Sequence, residues 1–372
     1  EPGKSYGVYQ TFTFGNPPQM GGLTWNLPAK NARALPWLRT MCGSEHNMEI
    51  ECGLMKALLD QVHPNGLAYV PIENDGAPKD TAYPYANGLI VLAAQNWMER
   101  DGNPAWLDVI DFMAKGLRKI AIKVGDRAYY PPESSYGLDE TWQWTDRGES
   151  KIPYNPPEEP YLEQQGLEGC VKFEQSAPLR SIVKHYTLKN DGNSLDVAER
   201  MRRFILKPGM WEDTSHLDYP GNESGVFAGH FHGNVTSLHA LLDLAVASGN
   251  DWLKQFVRQA YDHGRQVGVP RMGWFPGWYR PADHNRSKTL YLASETCGVS
   301  DMLVLGVKLT DAGLGDYWDD VDAIIRNHLI AQQITDLERM RELAGGKEHD
   351  PVLERFVGGF NQAMEGWINS TG

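Results

Sequence analysis

The segment Trp274-Phe275-Pro276-Gly277-Trp278-Tyr279-Arg280-Pro281-Ala282-Asp283-His284-Asn285-Arg286 runs towards Ser294-Glu295-Thr296-Cys297. It brings two carboxyls and a phenol close together in sequence. Asp283, Glu295 and Tyr279 are the groups that could share acid and base work, one donating a proton while another attacks or activates water. The loop is too rich in aromatic and charged residues to read as a solvated connector. Trp274 and Trp278 offer faces on which the C–H side of a sugar ring stacks, and Asp, Asn, His and Arg suit its hydroxyl rim. Arg280, Arg286 and Lys288 add cations to the same stretch. His230, His232 and Asn234, in Gly229-His230-Phe231-His232-Gly233-Asn234, could bond substrate hydroxyls, and His232 and Asn234 could instead cap the helix that follows. Each residue also has a plainer role open to it. The tryptophans could be core beneath the loop, Glu295 a charge at a helix start, and the arginines exposed surface.

The elements that must position these residues are helical hairpins. An apolar run, a short turn of Gly with Asn or Asp, and a second amphipathic run recur four times, with turn glycines at Gly102, Gly192, Gly249 and Gly313. A fifth hairpin is expected to start at His46, and a sixth at Leu337 to Leu343 or Pro351 to Phe360. Pairs of this length suit a closed ring better than a uniform solenoid, so the expected fold is all-α, an (α/α)6 toroid forming one catalytic domain over 1–372. A long Pro- and aromatic-rich loop at about 126–166, with Trp142, Trp144 and Tyr154, reads as a structured flap. Short turns gather at one end of such hairpins and the starts of first helices at the other. That second end collects Glu45 to Glu49, Tyr83 to Asn87, Glu168 to Cys170, His230 to Asn234 and Ser294 to Cys297. The site is therefore expected there, with Tyr83 as a further substrate contact.

Composition narrows the partners. The 372 residues carry a net charge of −13 and no basic run, which disfavours nucleic acid, and no apolar stretch approaches the roughly 20 residues of a membrane span. Four cysteines without C-x-x-C pairing exclude a disulfide scaffold or a zinc ribbon. The chain starts at Glu1 rather than Met, so a removed leader and a secreted or periplasmic location are expected.

His232-Gly-Asn234-Val-Thr236 ahead of Ser248-Gly249-Asn250-Asp251, then Ser294-Glu295-Thr296-Cys297, then Tyr317-Trp-Asp319 through Asn327, resembles the β-L-arabinofuranosidases of glycoside hydrolase family 127 over about residues 225–335. The resemblance implies an (α/α)6 barrel. It also implies a zinc site in which Glu295 and Cys297 are two ligands, completed by a later cysteine pair of which one is the nucleophile, with His232 as a substrate contact. No cysteine follows Cys297, and Tyr279 and Asp283 stand where the family's acid/base glutamate would be. These departures point towards sibling (α/α)6 groups such as the β-glucuronidases of glycoside hydrolase family 154, a metal-free reading in which Arg280, Arg286 and Lys288 could pair with a uronate carboxylate, a bidentate task suited to arginine. The expectation is a glycoside hydrolase, exo-acting on a uronic-acid- or L-arabinose-containing oligosaccharide or polysaccharide. Asp283 is its leading acid/base, and Glu295 its second carboxyl or a zinc ligand. The rivals are a polysaccharide lyase using Tyr279 with His230 or His232, and a glycan-binding protein without turnover.

Overall fold

The structure, a computed structural model, describes residues 9–13, 19–23, 26–69, 80–132, 134–144, 170–207, 210–211, 227, 229–279, 294–347, 353–354, 357–361 and 367–369. The chain divides into two compact units. The first comprises 1–8, 23–158 and 174–205, and the second 9–22, 159–173 and 206–372.

In the first unit, helices α1 (Asn26–Cys42), α2 (Met48–Leu59), α3 (Pro84–Asp101), α4 (Ala105–Ile120), α5 (Cys170–Lys189, from Glu174 onward) and α6 (Gly192–Ile205) supply the core. Pro84 opens α3 at a position where its missing N–H costs nothing, and Gly102 closes it in the left-handed region at φ 68°, its N–H bonding to the Met98 carbonyl. Helix α3 is buried on every side from Pro84 to Ala94, whereas α4 buries one stripe, Ile110, Met113, Ala114, Leu117 and Ile120. The Trp97 indole N–H donates to the Ala32 carbonyl at 3.0 Å and fixes α1 on α3. Buried Glu51 of α2 pairs with Arg39 of α1 and with Arg100 of α3, which ties the three helices by charge.

The turns at Gly102 and Gly192 fall where the sequence places them. The fifth hairpin differs: His46 is exposed in the short turn between α1 and α2, so the helix that starts at Met48 is the second of its pair rather than the first. Pro28 and Pro36 conceal α1 in the sequence, and without that helix the pair is read out of phase. The Pro- and aromatic-rich stretch also carries more order than a loop. Strands β4 (Ile122–Val124) and β5 (Arg127–Tyr129) form one hairpin, and β6 (Ser134–Gly137) pairs with both β3 (Thr81–Ala82) and β7 (Trp142–Trp144). The remainder of that stretch, 145–166, lies outside the described residues.

In the second unit, α7 (Phe231–Ser248) packs on α8 (Asp251–Val267) and on α9 (Thr296–Asp311), followed by α10 (Trp318–Ile324), a π turn (Ile325–Leu329) and α11 (Leu337–Ala344). Helix α11 is the expected start at Leu337. The α7–α8 turn is closed by Gly249, and the Asn250 side chain caps α8 by accepting from the Leu253 N–H at 3.0 Å. Leu238, Leu241, Leu242, Val257, Ala260, Val299, Met302 and Leu305 fill the core between the helices. A Cβ on Gly298 would stand 3.2 Å from the Phe231 ring, so glycine lets the first turns of α7 and α9 approach closely. The short strands β8 (Gly229–His230) and β9 (Trp278–Tyr279) pair antiparallel, placing the end of the aromatic loop beside the start of α7. A four-stranded sheet of β1 (Tyr9–Thr13), β2 (Gln19–Leu23), β10 (Phe360–Asn361) and β11 (Trp367–Asn369) completes the unit.

Candidate active site

The first turns of α7 and α9 carry the chemistry. His230 precedes α7 on β8, and Glu295 precedes α9; neither side chain caps its helix. Instead the His230 Nε2–H donates to Glu295 Oε2 at 2.8 Å. One turn further, the His232 Nδ1–H donates to Asp301 Oδ2 at 2.6 Å, and that oxygen also accepts from the Thr236 hydroxyl at 2.9 Å. The His239 Nε2–H donates to the Asp301 backbone carbonyl at 3.0 Å, so three residues of α7 converge on one of α9. The two imidazoles lie edge to face, with centroids 5.5 Å apart. Trp278 stacks on His230 at 5.1 Å and 20°, and Phe173 tilts over His232 at 5.1 Å.

Asn234 is fully buried. Its amide donates to the His230 carbonyl at 2.8 Å, and its oxygen accepts from Lys172 Nζ at 2.7 Å, with that ammonium 3.8 Å above the Trp211 ring. Asn234 thus fixes the backbone of His230 and compensates a buried cation.

Burial alone would push the Glu295 carboxyl up. The charge and hydrogen bond of His230, the charge of His232 and a hydrogen bond from Cys297 outweigh it and hold the group well below the usual carboxylate range. Asp301 follows the same pattern: burial pushes it up, while His232, His239 and the Thr236 hydroxyl bring it below its ordinary value. Near neutral pH, then, Glu295 is a base, a nucleophile or a stabiliser of positive charge, and not a proton donor. Each histidine is held through one ring nitrogen by a carboxylate, which leaves the other nitrogen to take or give a proton.

Of the residues singled out in the sequence, Glu295, Cys297, His230, His232, Asn234 and Trp278 come together here. Tyr279 follows Trp278 on a strand whose successive side chains diverge, and its ring lies 6.5 Å from His263. Trp274 is half-buried and pairs its backbone with Val269 across a turn. Tyr83 is in the first unit, buried where α3 begins; burial pushes its phenol up, opposed by a hydrogen bond with Thr81. Arg280, Asp283 and Arg286 lie outside the described residues. Asp301, Lys172 and Phe173 were not singled out. A carboxylate directly before the apolar run Met302-Leu303-Val304 was the available signal for Asp301.

Zinc needs three or four ligands in tetrahedral array. Among the described residues no group of three or more His, Cys, Asp and Glu side chains could hold a metal ion, and Cys297 is engaged with the Glu295 carboxylate. The described residues do not fit the family zinc site.

No protein-family model and no curated protein sequence matches the chain. Solved structures do resemble it. Cellobiose 2-epimerase from Spirochaeta thermophila DSM 6192 superposes with a TM-score of 0.58 at 12% identity, over 90% of this chain and 80% of that one. An unsaturated glucuronyl hydrolase specific for heparin gives 0.54 at 10% identity, over 87% and 78%. A glycoside hydrolase family 127 β-L-arabinofuranosidase from Geobacillus stearothermophilus T6 gives 0.50 at 16% identity, over 82% of this chain, which spans only 46% of that protein. What these proteins share with the chain is the fold: all-α, the hairpin architecture of (α/α)6-barrel enzymes.

Proposed function

We propose that the chain is a glycoside hydrolase working by general acid/base catalysis, exo-acting on a uronic-acid- or L-arabinose-containing glycan. The observation that carries this reading is the buried Glu295 carboxylate, kept ionised by His230 and His232 beside an indole stacked on His230. Glycosidic cleavage needs such a group. As the C–O bond to the leaving sugar breaks, positive charge grows on the ring, and an ionised carboxylate stabilises it, attacks it or takes a proton from water. The leaving oxygen needs a proton, and Asp283 is the proposed donor. The fold neighbours that act as hydrolases on arabinofuranosides and unsaturated glucuronyl units support the class. A polymeric glycan would be met outside the cytoplasm, so a secreted or periplasmic location belongs to the proposal, and no described helix is long and apolar enough to cross a membrane.

The paired imidazoles favour a second reading. Two histidines, each backed by a carboxylate, are equipped to remove a proton from a sugar carbon, as a lyase acting beside a uronate would. The experiment separating the two follows p-nitrophenol release from β-glucuronide, galacturonide and L-arabinofuranoside substrates, alongside ultraviolet absorbance on uronate polymers. Release that survives a chelator and is lost in Asp283→Asn supports the hydrolase. An unsaturated product without glycoside hydrolysis supports the lyase, and binding without turnover supports neither.

A further inference from the structure

Glu295 is flanked by two buried hydroxyls, and both are tied to the same turn of backbone. Ser294 Oγ lies 3.0 Å from His328 Nε2; Gln332 Nε2 lies 2.9 Å from that nitrogen; and the Thr296 hydroxyl donates to Gln332 Oε1 at 2.8 Å. The hydrogen bonds thus run from residue 294 through His328 and Gln332 to residue 296, leaving the side chain between them to meet His230. With its oxygen occupied by Thr296, the Gln332 amide presents N–H to His328. His328 Nε2 therefore accepts, its one lone pair shared between the Gln332 amide and the Ser294 hydroxyl, and its proton sits on Nδ1.

His328 belongs to the π turn Ile325–Leu329, where the Ile330 N–H reaches back five residues to the Ile325 carbonyl. Such widened turns are rare and recur at functional sites. Its neighbour Asn327 donates to the Arg271 carbonyl at 2.8 Å, in the turn that leads to Trp274 and Trp278. Pro276 of that loop bridges Ser294 directly. One turn therefore holds both segments that carry the site.

We propose that His328 is a positioning residue for Glu295, acting through Ser294 on one side and through Gln332 and Thr296 on the other. This rests on Glu295 belonging to the proposed active site, but its test does not depend on knowing the substrate. Cys297 hydrogen-bonds to the Glu295 carboxylate, so the surroundings of its sulfur change when that carboxylate moves. Its alkylation by iodoacetamide, read by peptide mass spectrometry, therefore reports where Glu295 sits, with Glu295→Gln setting the scale.

His328→Ala and Gln332→Ala, each checked for an unchanged melting profile, should move the Cys297 rate severalfold towards that of Glu295→Gln. On any glycoside the wild type cleaves, His328→Ala should lower kcat roughly 10- to 100-fold with KM little changed. His328→Gln, which keeps an acceptor near Ser294, should recover part of the loss. Wild-type Cys297 rates in both folded variants would overturn the proposal, as would nitrogen shifts placing the His328 proton on Nε2. If the wild type cleaves no glycoside, the hydrolase reading falls while the Cys297 rates still decide this one; if His328→Ala does not fold, Gln332→Ala and His328→Gln decide it.

Discussion

At Glu295, burial and charge oppose each other and charge wins, so the sign of its pH dependence is fixed. Its folded pKa lies below the ordinary 4.5, and the unfolded chain therefore binds the extra proton first as pH falls. The stabilisation is complete above about pH 4.5 and is lost as pH drops through the depressed folded value. Glu295→Gln should accordingly be about 1–3 kcal/mol less stable than wild type at pH 7, with the gap narrowing below about pH 4.5 in denaturant melts. A gap constant with pH would mean that the carboxylate is not held ionised by its neighbours. Asp301 acts through His232, whose Nδ1–H it accepts. Asp301→Asn should lower kcat roughly 100-fold or more in protein that is still folded at the assay temperature, and should also lower the melting temperature at neutral pH, because the amide can present its N–H, turn the imidazole to the wrong tautomer and forfeit the charge that His232 and Thr236 bond to. Unaltered kcat would assign Asp301 to packing alone.

Among the elements, two glycines of one helix separate steric from conformational demand. A Cβ on Gly88 would stand 2.5 Å from the Ala177 carbonyl carbon and 2.6 Å from the Pro178 nitrogen, both backbone atoms of α5 that cannot swing aside. Gly88→Ala gains up to about 1 kcal/mol of helix propensity and should still lose about 1–3 kcal/mol net, since overpacking against backbone outweighs it. Gly102→Ala meets open space and bears only its positive φ, so it should cost about 1 kcal/mol. Urea midpoints of the two variants check the order. The Glu51 carboxylate, bonded to both Arg39 and Arg100, joins α1, α2 and α3; Glu51→Ala leaves two partly buried guanidinium groups unpaired and should cost about 3–5 kcal/mol.

For the molecule as a whole, the second unit borrows 159–173 from the middle of the chain, including Lys172 and Phe173, which pack on Asn234 and His232. A fragment of residues 206–372 should therefore melt without a sharp transition, whereas cooperative unfolding of the fragment would show that Lys172 is dispensable. The hairpins at Gly102, Gly192, Gly249 and Gly313 were legible because turn chemistry is written locally in Gly, Asn and Asp. The α1–α2 pair was not, since its first helix contains prolines. In the site, His230, His232, Asn234, Trp278 and Glu295 could be found because they stand at helix starts or in an aromatic loop. Asp301, Lys172, His328 and Gln332 sit inside helices, where a polar residue in sequence says nothing about which neighbour packing will give it. The decisive measurement is turnover by Glu295→Gln on the best-cleaved p-nitrophenyl glycoside, beside wild type under identical conditions. A fall in kcat of roughly 100- to 10,000-fold in a folded variant is the predicted result, and wild-type turnover without the carboxylate would contradict it.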